Sequence, residues 1–304
     1  MGRERVYQLL QERRGKFFSG QEISKRLGVS RAAVWKSIDR LRRDGYIIDA
    51  RTGLGYRLSA APDVLVEREV RHFMRQDTVC PELRCLEDVD STNSYLKREA
   101  LQGAPHRTAV TANCQTAGRG RRERGFVSPA GKGVYLSVLL RPHLPPQSLL
   151  GATGMAAVAV CNAVERTAGV RPGIKWTNAL VLNGKKLCGI LTELGLESET
   201  NSLDYLVTGI GINTNQRRED FAPEIRDMAT SLALELGRPV RRVELARHVI
   251  QALDRMYQNF PENKAAYLDR YRQDCLTTGR PVQLITPTQR REAQAVEIDG
   301  QFRK

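Results

Sequence analysis

Four apolar runs follow one another between residues 174 and 212: IKW, ALVL, KLCGILTEL and LDYLVTGIGI. The connections are turns such as Asn183-Gly184, the pair that most favours a tight hairpin. Upstream the pattern alternates, with LRCLEDV at 83–89 as a strand and a helix after Ser91. RTAVTANC at 107–114 is a strand, then comes a glycine-rich loop, then the strand GVYLSVLLR at 133–141. A long alanine-rich helix is predicted over 147–168. Helices to either side of a hairpin-rich mixed sheet make an α+β fold rather than a doubly wound dinucleotide-binding sheet.

The first sixty residues follow a different pattern. Ser19 with Glu22 forms a capping-box pair opening a short helix that stops near Gly28. Ser30 caps a second helix that runs to Gly45. On it Val34, Ile38 and Leu41 share one face, and Lys36, Arg40 and Arg43 repeat the same spacing about 200° away. Trp35 is expected in the core. YIIDA and YRLS then flank the turn RTGLG as two short strands, with Arg51 and Arg57 beside it. Helix, turn, helix and hairpin describe a winged helix-turn-helix with its second helix in the DNA major groove.

Charge agrees with that reading. Of the net +14, residues 1–60 carry 14 Lys+Arg against 6 Asp+Glu, or +8, and the remaining residues carry 34 against 28, or +6. A basic module facing a polyanion is implied, with Ser30, Arg31, Lys36, Arg40, Arg43, Arg51 and Arg57 as the DNA-facing set. The alternative is a solvated basic helix in a protein-interaction domain. Pro62 opens a linker into a further helix, so the expected division is 1–61, 62–276 and 277–304.

The six cysteines show no C-x-x-C pair and no His-linked zinc spacing, as expected of reduced thiols in the cytoplasm. Residues 1–16 are too polar for a signal peptide, and Leu149–Val164 is too short to span a bilayer.

The loop QTAGRGRRERGFVSPAGKG, residues 115–133, holds Arg119, Arg121, Arg122 and Arg124 among its glycines and so favours an anion. It is not a dinucleotide fingerprint, because Glu123 stands at the third glycine position, and Phe126-Val127 stands where a P-loop needs Lys-Ser/Thr. Taken alone, an arginine-rich RNA-binding tract stays open.

DSTN at 90–93, QTAGRGRR at 115–122, KWTNALVLNGKKLCGILTE at 175–193 and TGIGIN at 208–213 occur in this order behind the winged helix. Each motif is weak by itself, but the ordered set is specific. The chain resembles the biotin protein ligases, in particular the bifunctional bacterial type that also represses the biotin operon. The resemblance implies a catalytic domain related to class II aminoacyl-tRNA synthetases, followed by a small SH3-like barrel. It implies ATP-dependent attachment of biotin, through biotinyl-5′-adenylate, to the biotin carboxyl carrier protein domain of acetyl-CoA carboxylase. Operator DNA is the implied second partner, bound by a homodimer carrying the adenylate.

By the same resemblance Ser91, Thr92, Asn93, Gln115, Gly118, Arg119, Arg121, Lys175 and Gly189 serve biotin. Arg119, Arg121, Phe126, Lys175, Asn178, Lys186, Gly211 and Asn213 serve the nucleotide, and Lys175 and Arg121 assist the chemistry. Magnesium accompanies ATP, with no protein ligands assigned. Joining a carboxylate to a phosphate needs no protein nucleophile, only cations and backbone donors that bring two anions together.

The family pattern changes at three places: Phe126 stands for a tryptophan, Ala179 for an aspartate, and Glu123 for a glycine. RPVQLITPTQRREAQAVEIDG reads as the opening strands of the barrel, which is expected to be incomplete. The expectation is ordinary biotin binding with a raised demand for ATP. The competing reading is a biotin-sensing repressor with weak or lost ligase activity. A lipoate ligase fits less well, since those relatives generally lack the winged helix.

Overall fold

The computed structural model describes residues 2–303 except 73, 75, 122–123, 143–148, 150, 197–202, 286–288 and 301. Arg122 and Glu123 therefore lie outside the described residues. The chain forms two units, 1–63 and 64–304.

The first unit contains α1 (Gly2–Glu12), α2 (Gly20–Leu27), α3 (Arg31–Arg43), β1 (Ile47–Arg51) and β2 (Gly55–Ala60). Ser19 Oγ accepts from Glu22 N at 3.0 Å, and Gly28 ends α2 in the left-handed region with φ 65°. Val34, Ile38 and Leu41 are buried as predicted, against Val6, Tyr7 and Leu10 of α1 and Ile23 of α2. Trp35 corrects the sequence reading: it is 56% exposed. One residue on a helix is a 100° rotation, which turns Trp35 away from the stripe begun by Val34. In the wing, Phe18 pairs with Tyr56 through both backbone bonds, 2.8 and 2.7 Å. A Cβ at Gly55, where φ is 96°, would come 1.9 Å from Phe18 O, so that approach requires glycine.

The second unit is built on a seven-stranded sheet. Its strands are β3 (Leu83–Val89), β4 (Ala109–Gln115), β5 (Gly133–Leu140), β6 (Gly173–Lys175), β7 (Ala179–Leu182), β8 (Lys185–Leu196) and β9 (Leu203–Asn213). The order is β3-β4-β5-β9-β8-β7-β6, with β3 and β4 parallel and every other pair antiparallel. Between β7 and β8, Asn183 (φ 48°) and Gly184 (φ 79°) make the expected hairpin turn.

The helices of this unit are α4 (Glu67–His72), α5 (Thr92–Leu101), α6 (Ala152–Ala168), α7 (Leu232–Leu236), α8 (Arg242–Gln258) and α9 (Lys264–Asp274). The alanine-rich helix thus begins at Ala152; positions 147, 148 and 150 lie outside the described residues. Ala156, Ala157, Ala159 and Ala163 of α6 are buried, and small side chains let it pack closely on α8.

Alternation along the strands separates two cores. Leu136, Ile190, Ile210 and Ile212 face α6 and α8, whereas Leu139 and Val207 face α5. A two-stranded hairpin, β10 (Pro281–Ile285) with β11 (Arg290–Gln294), forms a separate small sheet. Beyond it Phe302 is buried, edge-on to Tyr271 at 5.2 Å between ring centres. Among the described residues no helix is long and apolar enough to cross a membrane.

Candidate active site and DNA-facing surface

The site develops where β3 and β4 end side by side. Thr116 N and Ala117 N donate to Val89 O and Asp90 O at 2.9 and 2.8 Å, which fixes the root of the glycine-rich loop beside the start of α5. Ser91 caps α5, its Oγ 3.5 Å from Ser94 N. Ser91, Thr92 and Asn93 are all buried. Just before them, the Asp90 carboxylate is held below its ordinary range by hydrogen bonds from Arg98, at 2.7 and 2.9 Å.

Gln115 is the centre of a continuous network. Its Oε1 accepts from Thr92 N (2.9 Å) and Thr92 Oγ1 (3.1 Å), and its Nε2 donates to Ser128 Oγ at 2.8 Å. Ser128 Oγ in turn donates to Phe126 O at 3.0 Å. The loop folds back on itself: Phe126 N donates to Gly118 O (2.8 Å) and Gly120 N to Arg124 O (2.7 Å). A Cβ at Gly118 would lie 2.3 Å from Phe126 O and 2.8 Å from Ser128 Oγ, so this fold-back requires a bare backbone there.

The sheet floor beneath is made of glycines. Gly189 and Gly211 are register partners, and the Phe126 ring covers both: Cβ atoms built there would meet it at 3.5 and 2.6 Å. Lys186 Nζ would be 3.7 Å from a Cβ on Gly189, so its chain lies over the same spot. Tyr135 meets Phe126 edge-on, 6.4 Å between ring centres. Gly209 has a definite role. A Cβ there would come 1.9 Å from Asn93 Oδ1. Asn93 lies across the bare strand, facing Ser137 Oγ (2.6 Å), Leu191 O (3.2 Å) and Glu193 Oε2 (2.9 Å).

Glu193 also receives Lys97 Nζ at 3.0 Å, with Arg119 Nη1 at 3.4 Å. Burial pushes its carboxyl up, but hydrogen bonds from Asn93 and Lys97 and the charges of Lys97 and Arg119 outweigh this and hold it below the usual range. These ties therefore persist above the unfolded carboxyl's titration and are lost as pH falls through the lowered folded value.

At the opposite side of the site, Arg121 Nη1 donates to Thr177 Oγ1 at 2.6 Å, bringing the loop to the segment that follows the exposed Lys175. Trp176 donates its indole N–H to Phe302 O at 2.9 Å. A cavity of about 310 Å³ is lined by Arg121, Thr177, Thr153, Thr192, Trp176 and Phe302 among others.

Two of the expected residues also bond the protein itself. Asn178 Nδ2 donates to Ile190 O (2.8 Å) and holds β8 beyond its pairing with β7, and Asn213 Oδ1 accepts from Gln216 Nε2 at 3.2 Å. Three participants escape the sequence reading. Glu193 is carried inside a quoted motif without a role, Ser128 sits in the loop beyond its arginines, and Ser137 is a small polar residue in an otherwise apolar strand. That interruption of GVYLSVLLR was its one signal.

On the first unit, Ser30 Oγ accepts from Ala33 N at 3.2 Å, while Arg31, Lys36 and Arg40 are exposed. Arg43 is exposed as well, 2.6 Å from Asp39. In the wing, Arg51 and Arg57 lie over the Phe17 ring, 5.4 and 4.7 Å from its centre. Arg57 also donates twice to Asp49 Oδ2, at 3.1 and 2.5 Å. Ser59, then Arg57, hold the Asp49 carboxyl below its usual range.

Residues 3–57 match a helix-turn-helix domain model, and residues 85–213 match the biotin/lipoate A/B protein ligase family. The chain is 39% identical over 258 residues to the bifunctional ligase/repressor BirA of Bacillus subtilis, covering 85% of this chain and 79% of that protein. Against the protein of the same name from Escherichia coli the identity is 31% over 273 residues, covering 89% and 82%. The biotin protein ligase of Aquifex aeolicus, solved in complex with biotin and ATP, superposes with TM-score 0.61 at 30% identity, covering 72% of this chain and 89% of that one. A ligase sheet and a helix-turn-helix in one polypeptide define a protein ligase that carries its own DNA-binding domain. The chain belongs to the bifunctional ligase/repressor family: it is an enzyme and a repressor.

Proposed function

We propose that the chain activates biotin with ATP and passes it to the carrier-protein lysine of acetyl-CoA carboxylase. A biotin carboxylate oxygen attacks the α-phosphorus, a P–O bond breaks, and pyrophosphate leaves. The lysine amine then attacks the acyl carbon of the adenylate, loses a proton, and AMP departs. What supports this reading is the Thr92–Gln115–Ser128–Phe126 network, which gives a neutral ureido ring donors and acceptors beside a glycine floor. Ser91, Thr92 and Gln115 face the head group. Gly118, Arg121 and Lys175 face the carboxylate and α-phosphate, whose developing charge a guanidinium and an ammonium stabilise, with Arg119 in the loop beside them. Phe126, Lys186 and Gly211 floor the nucleotide end, with Asn178 and Asn213 holding the strands around it.

Magnesium enters with the triphosphate; among the described residues no group of three or more His, Cys, Asp or Glu stands ready for a metal. The mixed sheet reads as related to class II aminoacyl-tRNA synthetases, and β10–β11 as part of an SH3-like barrel. The adenylate-bound chain, as a dimer in the cytoplasm, represses its operator through α3 and the wing.

Biotin-dependent pyrophosphate exchange, with a carrier fragment weighed before and after incubation, tests the reading. Exchange without biotin, or none at any ATP concentration, would overturn the ligase assignment. Arg121→Gly removes the 2.6 Å tie to Thr177 from an exposed loop. The fold is expected to persist while the adenylate escapes and labels lysines indiscriminately. Labelling confined to the carrier lysine would argue against a shielding role.

Ala179 is the cross-strand partner of Gly189, so a side chain at 179 points to the face where Lys186 and Phe126 lie. Ala179→Asp is expected to lower the Michaelis constant for ATP about threefold to tenfold, as one added charge interaction of ~1 kcal/mol allows. Calorimetry should show biotin affinity unchanged; a shift there instead would place residue 179 at the wrong end of the site.

A further inference from the structure

Glu193 receives three groups from three parts of the site. Asn93 belongs to the head-group wall, Lys97 lies one turn further along α5, and Arg119 belongs to the glycine-rich loop. The carboxylate is 17% exposed on β8, four residues along the same face from Gly189. Asn93 is already fixed from its other side by Ser137, and Gly209 leaves room for no movement towards the sheet. Arg119 is joined to the rest of the loop through its bridge to Gly125 and the Gly120–Arg124 bond. Holding Arg119 therefore holds Gly118 and the backbone on both sides of it as one piece.

We propose that Glu193 is a positioning residue: through Arg119 it holds the glycine-rich loop against the head-group wall. Arg119 on this view is the loop's anchor, and the guanidinium directed at the reacting groups is that of Arg121. Lys97 has a separate part. It shares Glu193 Oε1 with Arg119, so the carboxylate keeps a cation whenever Arg119 lets go. The anchor is strong enough to bias the loop and weak enough to release, as a half-exposed ion pair should be. This role rests on the ligase reading for its purpose, but the anchoring itself can be measured without any ligand.

The test uses full-length protein and limited trypsin digestion, with cleavage after Arg121 and Arg124 followed by mass. Glu193→Gln keeps an acceptor for Asn93 and removes the charge. It is expected to speed those cleavages about threefold to tenfold, and Arg119→Gln should do the same. The double variant should be no faster than either single one, because both remove one interaction. Lys97→Met should leave the rates as they are, since Arg119 remains on Oε1. With biotin added, Glu193→Gln should raise its Michaelis constant in pyrophosphate exchange by a similar factor at unchanged kcat. Additive effects of Glu193→Gln and Arg119→Gln, or unchanged cleavage in either, would overturn the anchor. Failure of the parent protein to use biotin would instead count against the ligase reading and leave the digestion result to decide the anchor.

Discussion

Gly118→Ala is expected to weaken biotin binding about fivefold to a hundredfold while leaving the sheet and both units folded. The added Cβ would sit 2.3 Å from Phe126 O, 2.8 Å from Ser128 Oγ and 3.0 Å from Gln115 Nε2, too close for any of the three. All three atoms are backbone or bonded into the network, so relief requires the loop to unfold from itself. Overpacking of this kind costs about 1–3 kcal/mol. The cost falls on the hydrogen bonds that hold Gln115 towards Thr92, and the hydrophobic cores are untouched. Calorimetry with biotin, beside a thermal melt, checks both halves. A variant with parental affinity would show that the fold-back is not the binding conformation.

Deleting residues 1–63 should abolish operator binding and leave biotin binding intact. The core of the first unit, from Val6 to Leu58, closes on itself, and the buried clusters of the second begin at Leu65. In the full chain, Arg40→Ala should weaken binding and make the slope of log affinity against log salt shallower by about one, the share of one phosphate contact. Arg57→Ala carries a different expectation. Its guanidinium already bonds Asp49 and stacks on Phe17, so its loss should disturb the shape of the wing as well as its charge. A mobility shift persisting in the truncated protein would remove DNA recognition from this unit.

Strands were legible because alternation is local. Each of IKW, ALVL, KLCGILTEL and LDYLVTGIGI states its own faces, and Asn183-Gly184 states how two of them join. The cap residues Ser19, Ser30 and Ser91 were equally readable, since a cap depends on the next three residues. Trp35 was misread because hydrophobicity says nothing of azimuth, and on α3 the stripe through Val34 had already set it. Of the hydrogen-bonded network, Thr92, Asn93 and Gln115 could be picked out from DSTN and QTAGRGRR, but Ser128, Ser137 and Glu193 could not. Their roles come from pairings across 13 to 100 positions of chain, and nothing in a neighbouring residue reports such a pairing. Asn178 and Asn213 were named as ligand contacts, and the amide of each is engaged in bonding the protein itself.

The placement of Asn93 on Gly209 has a consequence for how this protein can change over generations. The amide oxygen of one residue occupies the volume in which any side chain at the other would begin. Position 209 is not free to gain a side chain while Asn93 stays. A lineage that shortened residue 93 would open the strand at 209 to alanine or serine, whereas one that began at 209 would first pass through a damaged intermediate. The order of substitution is therefore constrained, and the two sites are expected to behave as one inherited character.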